Sequence, residues 1–322
     1  MTLNTLLFHH THTPDSNRFE REVRDLDINS HVTDYVEIMR RLPNNIDGVF
    51  TKTDHWKTNP KYFSQFEERL QRNDIEFKRF DSHIVFRIDG STGVIINGVE
   101  ASLESEKKHF TIIGLPISDS DLYYNLTLEE LIKAGMKANW ISFAHIGMPF
   151  HHISEKTLRD VIYKAEQKNV DVAIGYATGY SPLYNRITRN EIPFRTSIRE
   201  YARKYDLPLV PELDLHCVVP PGFTGCGVMD AEATRVLTRG ELPTQELLAA
   251  DLFTPSQYRE GISIIELLRT YAIFLPGIPQ RGSPKQTFRH SLPQRGQLQS
   301  IDVRSSVQPL STNTRTNRSI IR

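Results

Sequence analysis

Short runs of apolar residues recur along the first two thirds of the chain and predict buried β-strands. The runs cover residues 5–8, 48–51, 84–88, 93–97, 110–114, 140–144, 172–176 and 208–213. Between several runs the apolar residues recur at helical spacing, over 32–39, 158–165 and 194–205. Strands that alternate with helices are typical of a parallel sheet with crossover helices.

The number of strands narrows the fold class further. Seven or eight such strands in about 250 residues indicate an α/β fold with a closed or nearly closed β/α barrel. An open doubly wound sheet is the alternative. Thr127 and Glu130 have the spacing of a capping box and predict a helix that starts there. A last amphipathic helix is predicted over 258–274, and Pro276 and Gly277 follow it.

Charge divides the chain into two parts. The formal net charge is zero, with 39 basic and 39 acidic residues. Residues 278–322 hold eight of the basic and one of the acidic residues, so this tail carries +7 and residues 1–277 carry −7. We predict a barrel domain over 1–277 and a disordered tail over 278–322, because the tail has too few apolar side chains to offset its ordering entropy. The tail could make weak contacts with nucleic-acid phosphates.

Composition excludes several classes of protein. Two cysteines in 322 residues exclude a disulfide scaffold and indicate a reducing compartment. No apolar run approaches the roughly 20 residues of a membrane helix, and the amino terminus has no signal-peptide pattern. We therefore expect a soluble cytoplasmic protein with no membrane partner. The chain also has neither a P-loop nor a G-x-S-x-G motif.

Histidines and carboxylates cluster at the predicted strand ends. These residues are His10 and His12 after the first strand, Asp54 and His55 after the second, Glu100 after the fourth, His109 at the start of the next, His145 after the sixth, and Asp214 and His216 after the last. A lone histidine is usually a surface residue or a satisfied core residue. The joint pattern is more informative, because the carboxyl ends of barrel strands carry the chemistry in β/α barrels.

The donor types point to metal ions. Imidazoles and carboxylates without cysteine suit zinc, manganese or iron and disfavour a structural thiolate site. The set exceeds what one tetrahedral ion needs, so we expect two or three divalent ions. Glu100 is the natural bridge between neighbouring ions, because a carboxylate at the end of a buried strand is costly unless it is paired or bound to metal.

The ordered motifs resemble those of the polymerase and histidinol phosphatase (PHP) family over residues 5–230. They are His10-Thr-His12, Thr53-Asp54-His55, Gly98-Val-Glu100, His109, Ala144-His145 and Asp214-Leu-His216. The resemblance implies a distorted (β/α)7 TIM-like barrel with two or three metal ions. It also implies that His10, His12, His55, Glu100, His109, His145, Asp214 and His216 are metal ligands, with Asp54 a ligand or a partner that orients His55.

The sequence departs from the family at three places. Arg18 lies near the point where a further histidine or aspartate often follows the first motif. Leu213 stands where a serine commonly precedes the final aspartate. The segment over 173–177 lacks the carboxylate that is often found on the strand before the last motif.

The predicted function is a metal-dependent phosphoesterase that hydrolyses a phosphomonoester or a nucleic-acid phosphodiester through a metal-activated water. Asp214, His216 and Asp54 are the candidate catalytic residues. Arg18, Arg186 and His151 are candidates for substrate binding. Two alternatives stay open, a catalytically silent PHP-type binding module and a metal hydrolase of C–N bonds.

Overall fold

The computed structural model describes residues 5–13, 34–42, 46–104, 109–146, 154–177, 198–213, 226–243, 251–253 and 307–308. The strands are β1 Thr5–Thr11, β2 Asp47–His55, β3 Phe77–Arg79, β4 His83–Ile88, β5 Ser91–Ser102, β6 His109–Ile113, β7 Trp140–Ile146, β8 Asp171–Ala177, β9 Leu209–Glu212, β10 Gly227–Met229, β11 Asp251–Phe253 and β12 Val307–Gln308. The helices are α1 Tyr35–Arg41, α2 Pro60–Arg72, α3 Leu128–Lys137, α4 Glu155–Gln167, α5 Ile198–Tyr205 and α6 Ala231–Thr238. Each predicted apolar run overlaps a strand.

The strands form one sheet that nearly closes into a barrel. Its order is β12-β11-β10-β1-β2-β5-β6-β7-β8-β9, with β4 paired to β5 and β3 paired to β4. Beyond the end of β9, the backbone N–H of Leu213 donates to the carbonyl of His9 in β1 at 2.9 Å, which joins the two sides of the sheet. The predictions of an α/β fold and of a nearly closed barrel are therefore confirmed.

Strand direction departs from the prediction at β4 and β6. Strands β1, β2 and β5 are parallel, as are β7, β8 and β9. Strand β4 runs antiparallel to β5, and β6 runs antiparallel to both β5 and β7, so the expectation of a parallel sheet was wrong at these two strands. The reversal of β6 has a simple cause. The link between Ser102 and His109 is too short for a crossover helix, which takes a dozen or more residues.

Apolar side chains pack on both faces of the barrel sheet, inside the barrel and between its strands and the surrounding helices. Alternate side chains of each strand point to opposite faces. Inside, Leu7, Val49 and Ile96 are fully or almost fully buried and belong to one cluster with Trp140 and Val210. On the outer face, a second cluster joins strand residues to helices α1 and α2. The inner cluster forms the floor of the barrel beneath the polar residues at the strand ends.

Capping residues in the sequence account for the helix starts. The capping box predicted for α3 is confirmed, because the Thr127 hydroxyl accepts the Glu130 N–H at 3.3 Å and the Glu130 carboxylate accepts the Thr127 N–H at 2.8 Å. Helix α2 starts with Pro60 behind the N-cap Asn59. None of the described helices is long and apolar enough to cross a membrane.

We expect Thr127→Ala to lower the free energy of unfolding by about 1 kcal/mol, because the variant loses the N-cap hydrogen bond of α3. Urea titration of both proteins measures the difference. Thr238→Ala is the control, since this threonine lies at the end of α6 and caps no amino terminus. Equal stability of the two variants would contradict the role of the cap.

The sheet continues from β10 through β11 to β12. Strand β12, within the predicted tail, pairs antiparallel with β11, with Gln308 opposite Leu252. The helix predicted over 258–274 and the rest of the tail over 278–322 lie outside the described residues.

Candidate metal centre

The candidate site lies at the edge of the barrel where β1, β2, β5, β7, β8 and β9 end, which we call the carboxyl edge. In the parallel pair β2–β5, His55 lies directly opposite Glu100. In the antiparallel pair β5–β6, His109 lies opposite Ser102. Because β6 runs in the opposite direction, its first residue reaches the same edge at which its neighbours end. Three candidate ligands from distant motifs therefore meet there.

A bulge in β1 places the first two candidate ligands. The pairing of β1 with β2 changes register between Phe8 and Thr11, and His10 between them has φ of 64°. A positive φ is uncommon for a residue other than glycine and needs support from its surroundings. The His10 N–H supplies part of it by donating to the Thr51 hydroxyl at 2.8 Å. The rings of His10 and His12 then lie 4.8 Å apart, centroid to centroid.

Four imidazoles surround the buried carboxylate of Glu100. One carboxylate oxygen, Oε2, lies 3.1 Å from Nε2 of His10, 3.0 Å from Nδ1 of His55 and 3.6 Å from Nε2 of His12. The other oxygen, Oε1, contacts Nδ1 of His109. Glu100 and His10 are fully buried, whereas the side chains of His55 and His109 are 26% and 20% exposed. The cluster is therefore closed on the barrel side and open to solvent on the side of His55 and His109.

Electrostatics in the cluster favour charged groups despite burial. Burial alone raises the pKa of Glu100, but the nearby imidazoles of His55, His109 and His10 outweigh it and hold that pKa well below the usual range. Burial lowers the pKa of His10, but the carboxylates of Glu212 and Glu100 raise it well above its ordinary value. The cluster thus pairs opposite charges in the protein without metal.

The geometry fits a divalent ion. His10, His12 and Glu100 each offer one ligand atom, and these three atoms lie within 4.8 Å of one another. All three residues are buried, so water competes little for their ligand atoms. Two imidazoles and a carboxylate suit zinc, manganese or iron. We call these residues the donor group, and the predicted count of two or three ions remains a prediction.

Sequence reasoning missed Glu212, the last residue of β9. Its fully buried carboxylate contacts Nδ1 of His10 through Oε1. The sequence contained the signal for Glu212, because Glu100 was identified in the same way, as a carboxylate at the end of an apolar strand. In addition, Glu212 comes two residues before the predicted ligand Asp214 in the sequence.

A second missed residue, His9, lies beside the cluster. Its ring is fully buried, with Nδ1 3.1 Å from the Thr51 hydroxyl. Burial lowers the pKa of His9 to about 4, with a smaller opposing effect from Glu212. His9 is therefore a neutral hydrogen-bonding residue at neutral pH.

Asp54 lies on the other face of β2 from His55 and is not one of the three donors. Its carboxylate accepts the N–H and the hydroxyl of Thr13, each at 2.6 Å, and lies 2.5 Å from Nζ of Lys52. Lys52 is itself fully buried, with Nζ 5.3 Å from the ring centroid of Tyr62 in α2. Asp54 therefore fixes Thr13, the residue after His12.

The pairing of Asp54 predicts a loss of stability in acid. Burial opposes ionisation, but Lys52 and the Thr13 hydrogen bonds lower the pKa of Asp54 from 3.8 to about 2. A carboxylate whose pKa is lower in the folded than in the unfolded state stabilises the fold at pH values above its unfolded-state pKa. This stabilisation is lost as the pH falls from about 5 to 2. We expect the loss to be about 2 kcal/mol.

Urea unfolding of wild type and Asp54→Asn at pH 6 and pH 3 measures this contribution. The stability gap between the two proteins should narrow at pH 3, because the unfolded wild type then takes up a proton at Asp54, whereas the native carboxylate, with a pKa of about 2, stays mostly ionised. A gap that stays constant between the two pH values would contradict the assignment.

The remaining predicted residues are placed only in part. His145 lies next to the end of β7 at the carboxyl edge, and its side chain is not described. The other candidates, Asp214, His216, Arg18, Arg186 and His151, lie outside the described residues. Their roles as ligands, catalytic groups or substrate contacts remain predictions.

We compared the chain with models of protein families and with curated proteins. No protein-family model matches the chain. A search of curated proteins likewise finds no significant match. Evidence for the site therefore comes from the residues themselves.

Proposed function

We propose that this protein is a metal-dependent phosphoesterase with a PHP-type (β/α)7 barrel. The observation that carries the proposal is the convergence of four histidines from β1, β2 and β6 on the buried carboxylate of Glu100. The cluster lies at the carboxyl edge, where β/α barrels hold their catalytic residues. The predicted ligands Asp214 and His216 follow β9 in the sequence.

In this proposal the donor group would hold one divalent ion. Oε2 of Glu100 faces His10, His12 and His55, whereas Oε1 faces His109. Glu100 could therefore contribute to holding two ions, and His145, Asp214 and His216 would supply the remaining ligands. Divalent ions of this kind lower the pKa of a bound water towards neutrality and offset the charge on phosphoryl oxygens.

The chain's own residues then bind and orient the substrate. The exposed sides of His55 and His109 give a phosphoester access to the cluster. The buried apolar floor of the barrel excludes water from below, and this strengthens electrostatic interactions at the site. Asp214 is the proposed proton acceptor, and Arg18, Arg186 and His151 are the proposed contacts to the phosphate.

The experiment is hydrolysis by the full chain after removal of metal and reconstitution with manganese, zinc or iron. The substrates are p-nitrophenyl phosphate, bis(p-nitrophenyl) phosphate and an end-labelled oligonucleotide, which separate monoesterase, diesterase and nuclease activities. We expect product release that depends on added ion and stops with chelator.

Two results would replace the proposal. Tight ion binding without hydrolysis of any phosphoester would favour a binding module. Hydrolysis of amides but not of phosphoesters would favour a C–N hydrolase.

A further inference from the structure

His10 is held at both of its ring nitrogens by buried carboxylates from different strands. Nδ1 contacts Oε1 of Glu212 at the end of β9, and Nε2 lies 3.1 Å from Oε2 of Glu100 at the end of β5. Of the two ring nitrogens of His10, only Nε2 therefore faces His12 and Glu100, the other two members of the donor group. We infer that Glu212 is a positioning residue that fixes His10 for ion binding, an inference that rests on the proposed metal site.

The chemistry requires one nitrogen of His10 to be a donor and the other a ligand. Glu212 accepts the N–H of Nδ1, so Nε2, on the side of Glu100 and His12, is the nitrogen that would give up its proton and offer its lone pair to an ion. A carboxylate behind a metal-bound imidazole fixes the tautomer and the ring orientation and raises the basicity of the ligand nitrogen. Glu212 thus acts through His10 and is not placed in the donor group.

The neighbouring strand leaves space for the Glu212 carboxylate. Glu212 pairs with Ala177 in the β8–β9 ladder. A Cβ atom added to Gly175 in β8 would lie 2.9 Å from Oε2 of Glu212 and 2.8 Å from the carbonyl oxygen of Phe143. A side chain at position 175 would therefore crowd the carboxylate.

Residues 173–177 of β8 include no acidic residue, so the carboxylate beside Gly175 comes from the adjacent strand β9.

Burial makes the contact strong and its loss measurable. Glu212 and His10 have no exposed surface, so neither group can exchange its partner for bulk water. A buried carboxylate is costly unless it is paired. Their pairing across 202 residues of sequence also links the end of β9 to the bulge in β1.

The test is ion affinity of Glu212→Gln, which keeps the shape of the side chain and removes its charge. Calorimetric titration with manganese or zinc should give affinity about 10- to 100-fold weaker than that of the wild type. Cobalt substitution adds a spectroscopic readout, because the visible absorption bands report ligand geometry. Glu212→Asp keeps the charge and should recover part of the affinity.

Asp47→Asn is the matched control. Asp47 is a half-buried carboxylate at the start of β2, where it accepts the Thr92 N–H at 2.7 Å, at the end of the barrel opposite the donor group. We expect the ion affinity and the cobalt spectrum of Asp47→Asn to match the wild type. An equal loss in both variants would assign Glu212 a general structural role and overturn the inference.

The outcomes separate this inference from the proposed function. Wild-type affinity and an unchanged cobalt spectrum in Glu212→Gln would overturn the positioning role while leaving the phosphoesterase proposal standing. Weakened ion binding in a protein that hydrolyses no phosphoester would support the positioning role and reject the phosphoesterase. A wild type that binds no divalent ion would overturn both.

Discussion

Glu100→Gln is expected to lose divalent-ion binding by more than about 100-fold and to lose hydrolysis with it. Loss of an outer partner of a ligand already costs about 10- to 100-fold in affinity, and Glu100 is itself a donor. The glutamine has the same size but offers one neutral oxygen in place of two charged ones. Calorimetry with manganese or zinc gives the affinity, and p-nitrophenyl phosphate gives the rate.

Two controls separate the loss of the ion from a general loss of structure. Asp47→Asn, which removes a carboxylate at the far end of the barrel, should keep both ion affinity and rate. Circular dichroism checks that each variant retains the secondary structure of the wild type. Full hydrolysis by Glu100→Gln would place the chemistry elsewhere and contradict the proposed site.

Lys52→Met is expected to destabilise the fold by about 3–5 kcal/mol. The substitution leaves the Asp54 carboxylate buried without the ammonium group that lies 2.5 Å from it. Removal of one partner of a buried ion pair has a cost of this size, because an uncompensated charge remains in the interior. Urea unfolding near neutral pH measures the loss.

A double variant separates the charge effect from lost packing. In Lys52→Met/Asp54→Asn no unpaired charge remains, so a substantial part of the stability should return. The Lys52 stem also packs near the rings of Tyr62 and Phe63, and the methionine retains much of that apolar contact. A double variant no more stable than Lys52→Met would show that the unpaired charge is not the main cause of the destabilisation.

The strand positions were predictable because each buried strand is a short apolar run with turn residues beside it. Asp89 and Gly90, for example, join β4 and β5 with φ of 50° and 84°. Two residues with positive φ are typical of the tightest hairpin turns. The reversal of β6 was missed because apolar runs carry no direction, although the short link before His109 contained the information.

Part of the site was predictable for a different reason. Strands that run parallel bring their last residues to one edge, so His55 and Glu100 could be expected to meet. His109 was grouped with them from the motif order, and its antiparallel strand explains its position only in the structure. Glu212 belongs to no motif of its own, because it comes just before the Asp214-Leu-His216 motif in the sequence.

The surroundings of Asp54 could not be read from the sequence. Its partner Lys52 lies two residues away on an apolar strand, where a lysine is normally taken as exposed. The rings that cover it come from α2, and the hydrogen bonds of Asp54 come from Thr13 near β1. Such contacts depend on tertiary packing between segments that are distant in sequence.

The seam between β1 and β9 has a kinetic consequence. His10 and Glu212 are 202 residues apart, and the Leu213–His9 hydrogen bond closes a loop of similar length. Contacts of such long range carry a large loop-closure entropy and are expected to form late in folding. An ion bound beside His10 would then make its contacts only after the rate-limiting step of folding. It would stabilise the native state but not the transition state. It should slow unfolding while leaving the refolding rate nearly unchanged.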